Sequence, residues 1–167
     1  MAPAFSISRF LPGDAPGVRE IYPDFLTECS PLLRRGVLFV ARQSGRVVGF
    51  TFVKWLRERC YYDREVTRYA EITEVHVRTG CGSRNIGTAL VTRAVREARR
   101  YGYECVYVIT DDFNAAARRV YEKCAFPPHN HVIRYRRSLR QPRRVTSSGR
   151  PRERRQSTRG PDRTSRA

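Results

Sequence analysis

The stretch from Tyr69 to Arg100 constrains this chain more than any other. It joins an extended segment, YAEITEVHV, to a polar turn, RTGCGSRN, and then to IGTALVTRAVREARR. The β-branched residues Ile72, Thr73, Val75 and Val77 suit the first piece to a strand. In the third, Ile86, Leu90, Ala94 and Ala98 stand four apart with Val91 and Val95 beside them, and Arg93, Arg96, Arg99 and Arg100 take the remaining surface. That is the period of an amphipathic helix, running from Asn85 to Tyr101. The turn holds Gly80, Gly82, Ser83, Arg84 and Asn85, with Gly87 just inside the helix. A strand, a glycine-containing turn and a helix N-terminus together offer free backbone N–H groups and a positive dipole end to a phosphate. Many α/β units turn on glycine for packing alone, so this feature needs a second one to agree with it.

The second feature follows in ECVYVIT, Glu104 to Thr110, an almost continuously apolar run of the kind expected for a strand covered on both faces. Next comes DDFNAAARRVYEKCAF, where Phe113, Ala117, Val120, Tyr121 and Cys124 recur at helical spacing. Together the two units resemble the GNAT superfamily of acetyl-CoA-dependent N-acetyltransferases. That family's pattern V-x-P-x-Y-R-G-x-G-I-G-x-x-L has the same length as VRTGCGSRNIGTAL, Val77 to Leu90. Its later pattern N-x-x-A-x-x-x-Y-x-K-x-G-F matches Asn114, Ala117, Tyr121, Lys123 and Phe126. The resemblance covers roughly residues 5–137.

It implies an α/β fold, the GNAT acyl-CoA N-acyltransferase fold. The sheet would be mixed and mostly antiparallel, with a splayed parallel strand pair flanked by helices. The pair would be the strands ending near Val77 and Thr110, with the pantetheine of acetyl-CoA received between them. No metal is implied. The cofactor would lie against Val75, His76 and Val77 of the strand, against Gly82, Ser83, Arg84, Asn85, Gly87 and Thr88 of the turn and helix start, and against Asn114. Three positions depart from the family pattern. Gly82 stands where Arg or Gln is usual, Asn85 replaces the first of two close glycines, and Ala125 replaces the glycine before the final Phe. Asn tolerates positive φ better than other non-glycine residues, so the turn can still form. Arg78 and Arg84 flank it and could hold the phosphates that Gly82 cannot.

Acetyl transfer from a thioester to an amine makes three physical demands. An alkylammonium of pKa ~10.4 must lose its proton, which costs roughly 4 kcal/mol at neutral pH. Glu71 and Glu74 are the candidate bases. Glu71 lies sixteen residues before Gly87, the separation of the base in the superfamily's histone-acetylating members; Glu74 is nearer the reacting carbonyl along the strand. Strand alternation places the two on opposite faces unless a bulge intervenes, so one of them serves and the other is a solvated strand residue. The developing oxyanion needs a donor, which the resemblance places at a backbone N–H near Val75 to Val77. The departing thiolate needs a proton, for which Tyr121 matches the family's acid; a core tyrosine is the structural alternative. His76, His129 and His131 have no metal-ligand spacing.

Along the chain, Phe5 to Phe10 reads as an edge strand, and Asp14 or Ala15-Pro16 starts a helix with Val18, Ile21, Tyr22 and Phe25 on its apolar face. Pro23 bends or ends it, and Pro31 starts a short second piece. VLFVARQSGRVVGFTFVKW reads as a hairpin about Ser44-Gly45. Leu56 to Arg68 is a polar loop expected at the sheet's mouth, and His131 to Arg137 a final strand. The domain therefore spans 1–137. Residues 138–167 hold ten arginines against Glu153 and Asp162, and their only apolar residues are Leu139, Val145 and Ala167, so a disordered Arg-rich tail is expected.

No run is long enough for a membrane span, and MAPAFSISRF lacks a signal peptide's apolar centre. Five cysteines with neither C-x-x-C nor His-paired spacing fit a reducing compartment. The expectation is a cytoplasmic protein, monomer or homodimer, with nuclear placement open in a eukaryote through RPRERR at Arg150 to Arg155. The net charge of +17 attracts polyanions, and the tail could hold nucleic acid weakly. Only Lys54 and Lys123 are lysines, so a coding bias toward arginine explains the charge as readily. Two functions stand at this point: an acetyl-CoA-dependent N-acetyltransferase of primary amines, and a non-catalytic protein of the same fold that binds nucleic acid or an acidic partner through its tail.

Overall fold

The computed structural model describes residues 5–60, 63–81, 85–129 and 134–138. The chain runs β1 (Ser6–Arg9), a 3-10 turn (Pro12–Asp14), α1 (Ala15–Ile21), α2 (Phe25–Glu28), α3 (Ser30–Leu33), β2 (Gly36–Gln43) and β3 (Arg46–Leu56). It continues with β4 (Tyr69–Val77), α4 (Ile86–Arg100), β5 (Cys105–Ile109), α5 (Ala115–Lys123), β6 (Pro128–His129) and β7 (Arg134–Ser138). The segment read from its sequence as a disordered tail lies, after Ser138, outside the described residues.

Local chemistry sets most of these boundaries. Ser44 and Gly45 take φ of 47° and 78°, the paired positive values that let a two-residue turn match the twist of β2 and β3. α1 stops at Ile21 because the residue before Pro23 is driven to extended backbone, and Tyr22 sits at φ −142°. α5 starts where the Asn114 side chain accepts from the Ala117 N–H at 3.0 Å. Phe113, expected on the apolar face of this helix, therefore falls outside it and is 87% exposed. At the other end Ala125 adopts φ 57°, and the Phe126 N–H reaches back to the Tyr121 carbonyl at 3.0 Å. That closure calls for a left-handed residue, which glycine supplies without strain and alanine does not.

The seven strands order as β1-β2-β3-β4-β5-β7-β6, and only β4 and β5 are parallel. Their pairing runs from Tyr69 opposite Cys105 to Ile72 opposite Val108 and stops. Beyond it β4 keeps only β3 as a neighbour, while β5 continues beside β7. The parallel pair thus opens toward the C-terminal ends of its strands, the end at which α4 begins. The loop 57–68 connects β3 to β4 at the opposite end, since Leu56 pairs with Tyr69 and Gly49 with Val77. It is not at the mouth of the sheet as its polar sequence suggested. Its Cys60 and Val66 are buried with Tyr69, Cys105 and Tyr107, and they close that end with apolar packing.

Each sheet face carries its own core. On one, Ile86, Leu90, Val91, Ala94 and Ala98 of α4 pack on Phe39, Val53, Ala70 and Ile72. On the other, Val18 and Phe25 cover Leu38, Val40, Phe50 and Phe52. Full burial of side chains this size contributes about 1.5–3 kcal/mol each, so the two clusters hold the splayed strands rigidly. β1 is tied to α4 by Arg9 and the buried Glu97, 2.7 Å apart, with Arg93 at 3.2 Å on the same carboxylate. Burial by itself would raise the Glu97 carboxyl, but the Arg9 hydrogen bond, with Arg93 and Arg100, outweighs it and holds the group below its ordinary value.

Candidate active site

The upper half of β4 is irregular where function would need it. Val53 pairs with Ile72, but the next residue of β3, Phe52, pairs with Glu74, so Thr73 is an extra residue and β4 bulges there. The Thr51 hydroxyl, fully buried, donates to the Glu74 carbonyl at 2.8 Å and fixes the bulge. This changes the faces that simple alternation assigns. Glu71 stands opposite Lys54 and Glu74 opposite Phe52, two residues apart on β3. Both carboxylates therefore project from the same face, the one covered by α1 to α3, and His76, opposite Phe50, joins them.

His76 is held between aromatic rings, 5.2 Å from Tyr22 and 5.0 Å from Phe50 between centroids. Its Nε2–H donates to Glu74 Oε2 at 2.6 Å. The two side chains keep 34% and 29% of their surface exposed, so a substrate can reach them. Tyr22, in turn, donates to Glu28 at 2.9 Å, and that bond raises the phenol's pKa. Burial, followed by Glu74 and Glu28, also raises the Cys29 thiol. Two carboxylates, Glu28 and Glu74, thus act on the groups around Tyr22 and Cys29.

The backbone of this half-strand has a fixed phase. The Arg78 N–H donates to the Val48 carbonyl at 2.9 Å. Hydrogen-bonded and free positions alternate in an antiparallel ladder, so His76 and Glu74 bond to β3. Val75 and Val77 then direct their N–H groups to the side that β5 has left.

Across the opening, α4 and α5 bound a groove of about 250 Å³ lined by Asn85, Gly87, Thr88, Arg119, Val120 and Lys123. Asn85 precedes α4 in the left-handed conformation, φ 57°, and does not turn its side chain onto the first-turn N–H groups. Its Oδ1 instead receives Lys123 Nζ at 3.4 Å. Gly87 has a packing reason to be glycine, since a Cβ there would stand 3.3 Å from a Val120 methyl. Arg119, which the family pattern does not single out, lies one helical turn from Lys123 on the same groove wall; the i, i+4 spacing was its only sequence signal. Two cations beside an uncapped helix start fit the diphosphate of a CoA ester.

The remaining candidates separate. Gly82, Ser83 and Arg84 lie outside the described residues. Arg78 is not available to the turn as expected, because it bonds Glu20 at 2.6 Å and the Val47 carbonyl at 3.2 Å. Asn114 caps α5. Tyr121, 5% exposed, sits in the α4-side core with Phe126 and Val108. Among the described residues no group of three or more His, Cys, Asp or Glu could hold a metal, and no helix is long and apolar enough to cross a membrane. All five cysteines are free thiols.

A sequence model of the acetyltransferase (GNAT) family matches residues 6–126. The chain belongs to this family. No curated protein matches its sequence, but many solved structures share its fold. A GNAT family N-acetyltransferase from Escherichia coli in complex with CoA superposes with a TM-score of 0.63 at 17% identity, covering 84% of each chain. A GNAT family acetyltransferase from Elizabethkingia anophelis with acetyl-CoA bound gives 0.59 at 17% identity, over 76% of this chain and 78% of that one. An aminoglycoside acetyltransferase from an uncultured soil metagenomic sample gives 0.59 at 22% identity, over 74% and 89%.

Proposed function

We propose that this GNAT protein transfers the acetyl group of acetyl-CoA to a primary amine by direct attack within a ternary complex. The observation that carries the reading is the coincidence at Thr73. There β5 parts from β4, and there the bulge brings Glu74 onto the face of Glu71 and His76. Family membership supports acetyl-CoA as the donor, as do the CoA and the acetyl-CoA bound by the two neighbours, and the cations lining the α4–α5 groove suit its diphosphate.

Glu74 takes the base's role in preference to Glu71. It lies beyond the point where β5 departs, and His76 orients its carboxylate. Glu71 stays within the paired section, level with Tyr107 and opposite Lys54. The amine nitrogen attacks the thioester carbonyl as its proton passes to Glu74, directly or through a water. The oxyanion is met by the Val75 or Val77 N–H. The carbon–sulfur bond then breaks, and the Tyr121 hydroxyl protonates the thiolate. A cationic acceptor suits the vestibule of Tyr22, Glu28 and Glu74; a small amine, a protein N-terminus and a lysine side chain all meet that description. Free thiols throughout favour a cytoplasmic setting.

The test is a thermal shift with acetyl-CoA followed by a panel of amines with detection of released thiol. Binding at one hundred times Kd adds about 2.7 kcal/mol to stability. Neither a shift nor thiol release at millimolar donor would leave a protein that keeps the fold without the reaction.

A further inference from the structure

The end of the sheet remote from Glu74 carries a second set of chemical groups that acetyl transfer does not use. Trp55 stacks on Tyr103 with centroids 5.0 Å apart and planes 21° from parallel, and meets the edge of Tyr101 at 5.7 Å. The Arg68 guanidinium lies over the Tyr103 ring, 5.4 Å from its centroid, and its Nη2 donates to the Tyr101 carbonyl. Trp55 pairs with Ala70 and belongs to the α4 face, so this stack and the two carboxylates lie on opposite faces of the sheet.

Two grooves flank the stack, of about 450 Å³ and 300 Å³, and share Gly36, Trp55, Arg57 and Tyr103 as walls. Gly36, on the wall of both, has no room for a side chain, since a Cβ there would stand 2.3 Å from the Val53 carbonyl oxygen and 2.6 Å from the Phe52 ring on the other face of the sheet. Arg34 and Arg35 border the larger groove, and Tyr101 and Arg9 the smaller. Arg9 is committed to Glu97 and Tyr101. Arg34, Arg35 and Arg57 are exposed and enter no ion pair among the described residues. Among the described residues the one carboxylate on either groove is Glu58.

We propose that this face binds single-stranded nucleic acid, with phosphates on Arg34, Arg35 and Arg57 and one base against Trp55. Unpaired guanidinium forks are suited to bidentate contact with phosphate oxygens. Arginines alone would accept any polyanion. The aromatic stack opening into both grooves adds a preference for an anion that also carries flat rings, and base–aromatic stacking of this kind is tolerant of sequence. A duplex keeps its bases stacked inside and cannot offer them to Trp55. The proposal uses no residue of the basic tail and is independent of the acetyl-transfer reading.

Trp55 is the sole tryptophan, so its fluorescence reports on this stack. The full chain is titrated with an oligothymidylate and an oligouridylate of about ten nucleotides, within the ~4–16 that one groove covers. Saturable quenching that weakens with salt is expected. The triple variant Arg34→Gln/Arg35→Gln/Arg57→Gln, all at exposed positions, should melt with wild type and raise Kd at least ~10-fold. Its salt slope should flatten by about 2, at ~0.7 for each phosphate no longer neutralised. Equal quenching by inorganic polyphosphate of matched charge would overturn the proposal in favour of a plain anion patch. So would equal quenching by a duplex of the same length, tighter binding to phosphatidylserine vesicles than to either oligonucleotide, or a triple variant that binds as wild type does.

Discussion

Asn85 stands before α4 and Asn114 before α5, and the two asparagines use their side chains in opposite ways. Asn114 accepts from the Ala117 N–H and satisfies its own helix. Asn85 takes a left-handed backbone, leaves the first-turn donors of α4 alone and reaches instead for Lys123. The strands preceding them differ in the same sense. β5 is buried along four of its five residues and has a neighbour on each side, whereas the last residues of β4 have β3 alone beside them and carry a bulge. The first strand–helix unit is thus open in that its helix start is not capped by its own asparagine, and the second is closed on itself. An open helix start keeps N–H donors of the kind that suit an anion.

The sharpest way to break this contrast is Glu74→Gln on the open unit. The isostere keeps a hydrogen-bonding partner for His76 but cannot take a proton, so kcat should fall about 10³-fold with little change in melting temperature. The loss should shrink as pH rises toward the amine's own pKa, where more of the acceptor is already neutral. Glu71→Gln should cost less than ~10-fold if Glu74 is the base. A pH–rate profile of Glu74→Gln that overlays wild type would remove the carboxylate from the mechanism.

Tyr121 crosses the contrast, because it sits on the closed unit and yet is assigned to chemistry. Tyr121→Phe keeps the ring in the core and deletes the proton donor. A fall in kcat of about 10²-fold with KM for acetyl-CoA nearly constant is expected. If the variant instead loses stability and keeps its rate, Tyr121 is core alone and the second unit is wholly scaffold.

Asn114→Ala tests the closed side directly. Removing the cap should lower stability by about 1 kcal/mol, read by urea unfolding, and leave the affinity for acetyl-CoA unchanged. A loss of affinity with no loss of stability would mean that its amide meets the ligand.

Much of this was legible in the residues. The hairpin at Ser44-Gly45, the edge strand near Phe5, the stop before Pro23 and both strand–helix units follow from turn chemistry and periodicity, which are local. What was not legible depends on partners far along the chain. Thr73 is β-branched like its neighbours, and nothing in YAEITEVHV marks it as the bulge; the register with β3 decides that. His76 shares a face with Glu74 by strand alternation alone, but only the structure shows its ring, expected merely to line the cofactor, bonded to that carboxylate. Arg78 looked free beside the turn because Glu20, its partner, lies in α1. Phe113 kept helical spacing with Ala117 and Tyr121, but the cap at Asn114 starts the helix at Ala115, two residues too late to include it.

The smallest expected effect concerns the other asparagine. Asn85→Gly removes a side chain from the groove that faces the α4 N-terminus, and it relieves a non-glycine residue at φ 57°. Asparagine is the residue that loses least in that conformation, so glycine's greater freedom in the unfolded chain nearly cancels the relief, and stability should move by less than ~1 kcal/mol. The ligand effect has one sign. Oδ1 no longer holds Lys123, the ammonium is free to approach a phosphate, and the backbone N–H groups of the first turn lose the side chain nearest them. Affinity for acetyl-CoA measured by calorimetry should therefore rise by about 3-fold, less than 1 kcal/mol, with the gain fading as salt screens the Lys123 contribution. Equal or weaker binding by Asn85→Gly would show that the asparagine amide itself contacts the cofactor. The two asparagines would then differ in which partner they serve rather than in whether their helix is left open.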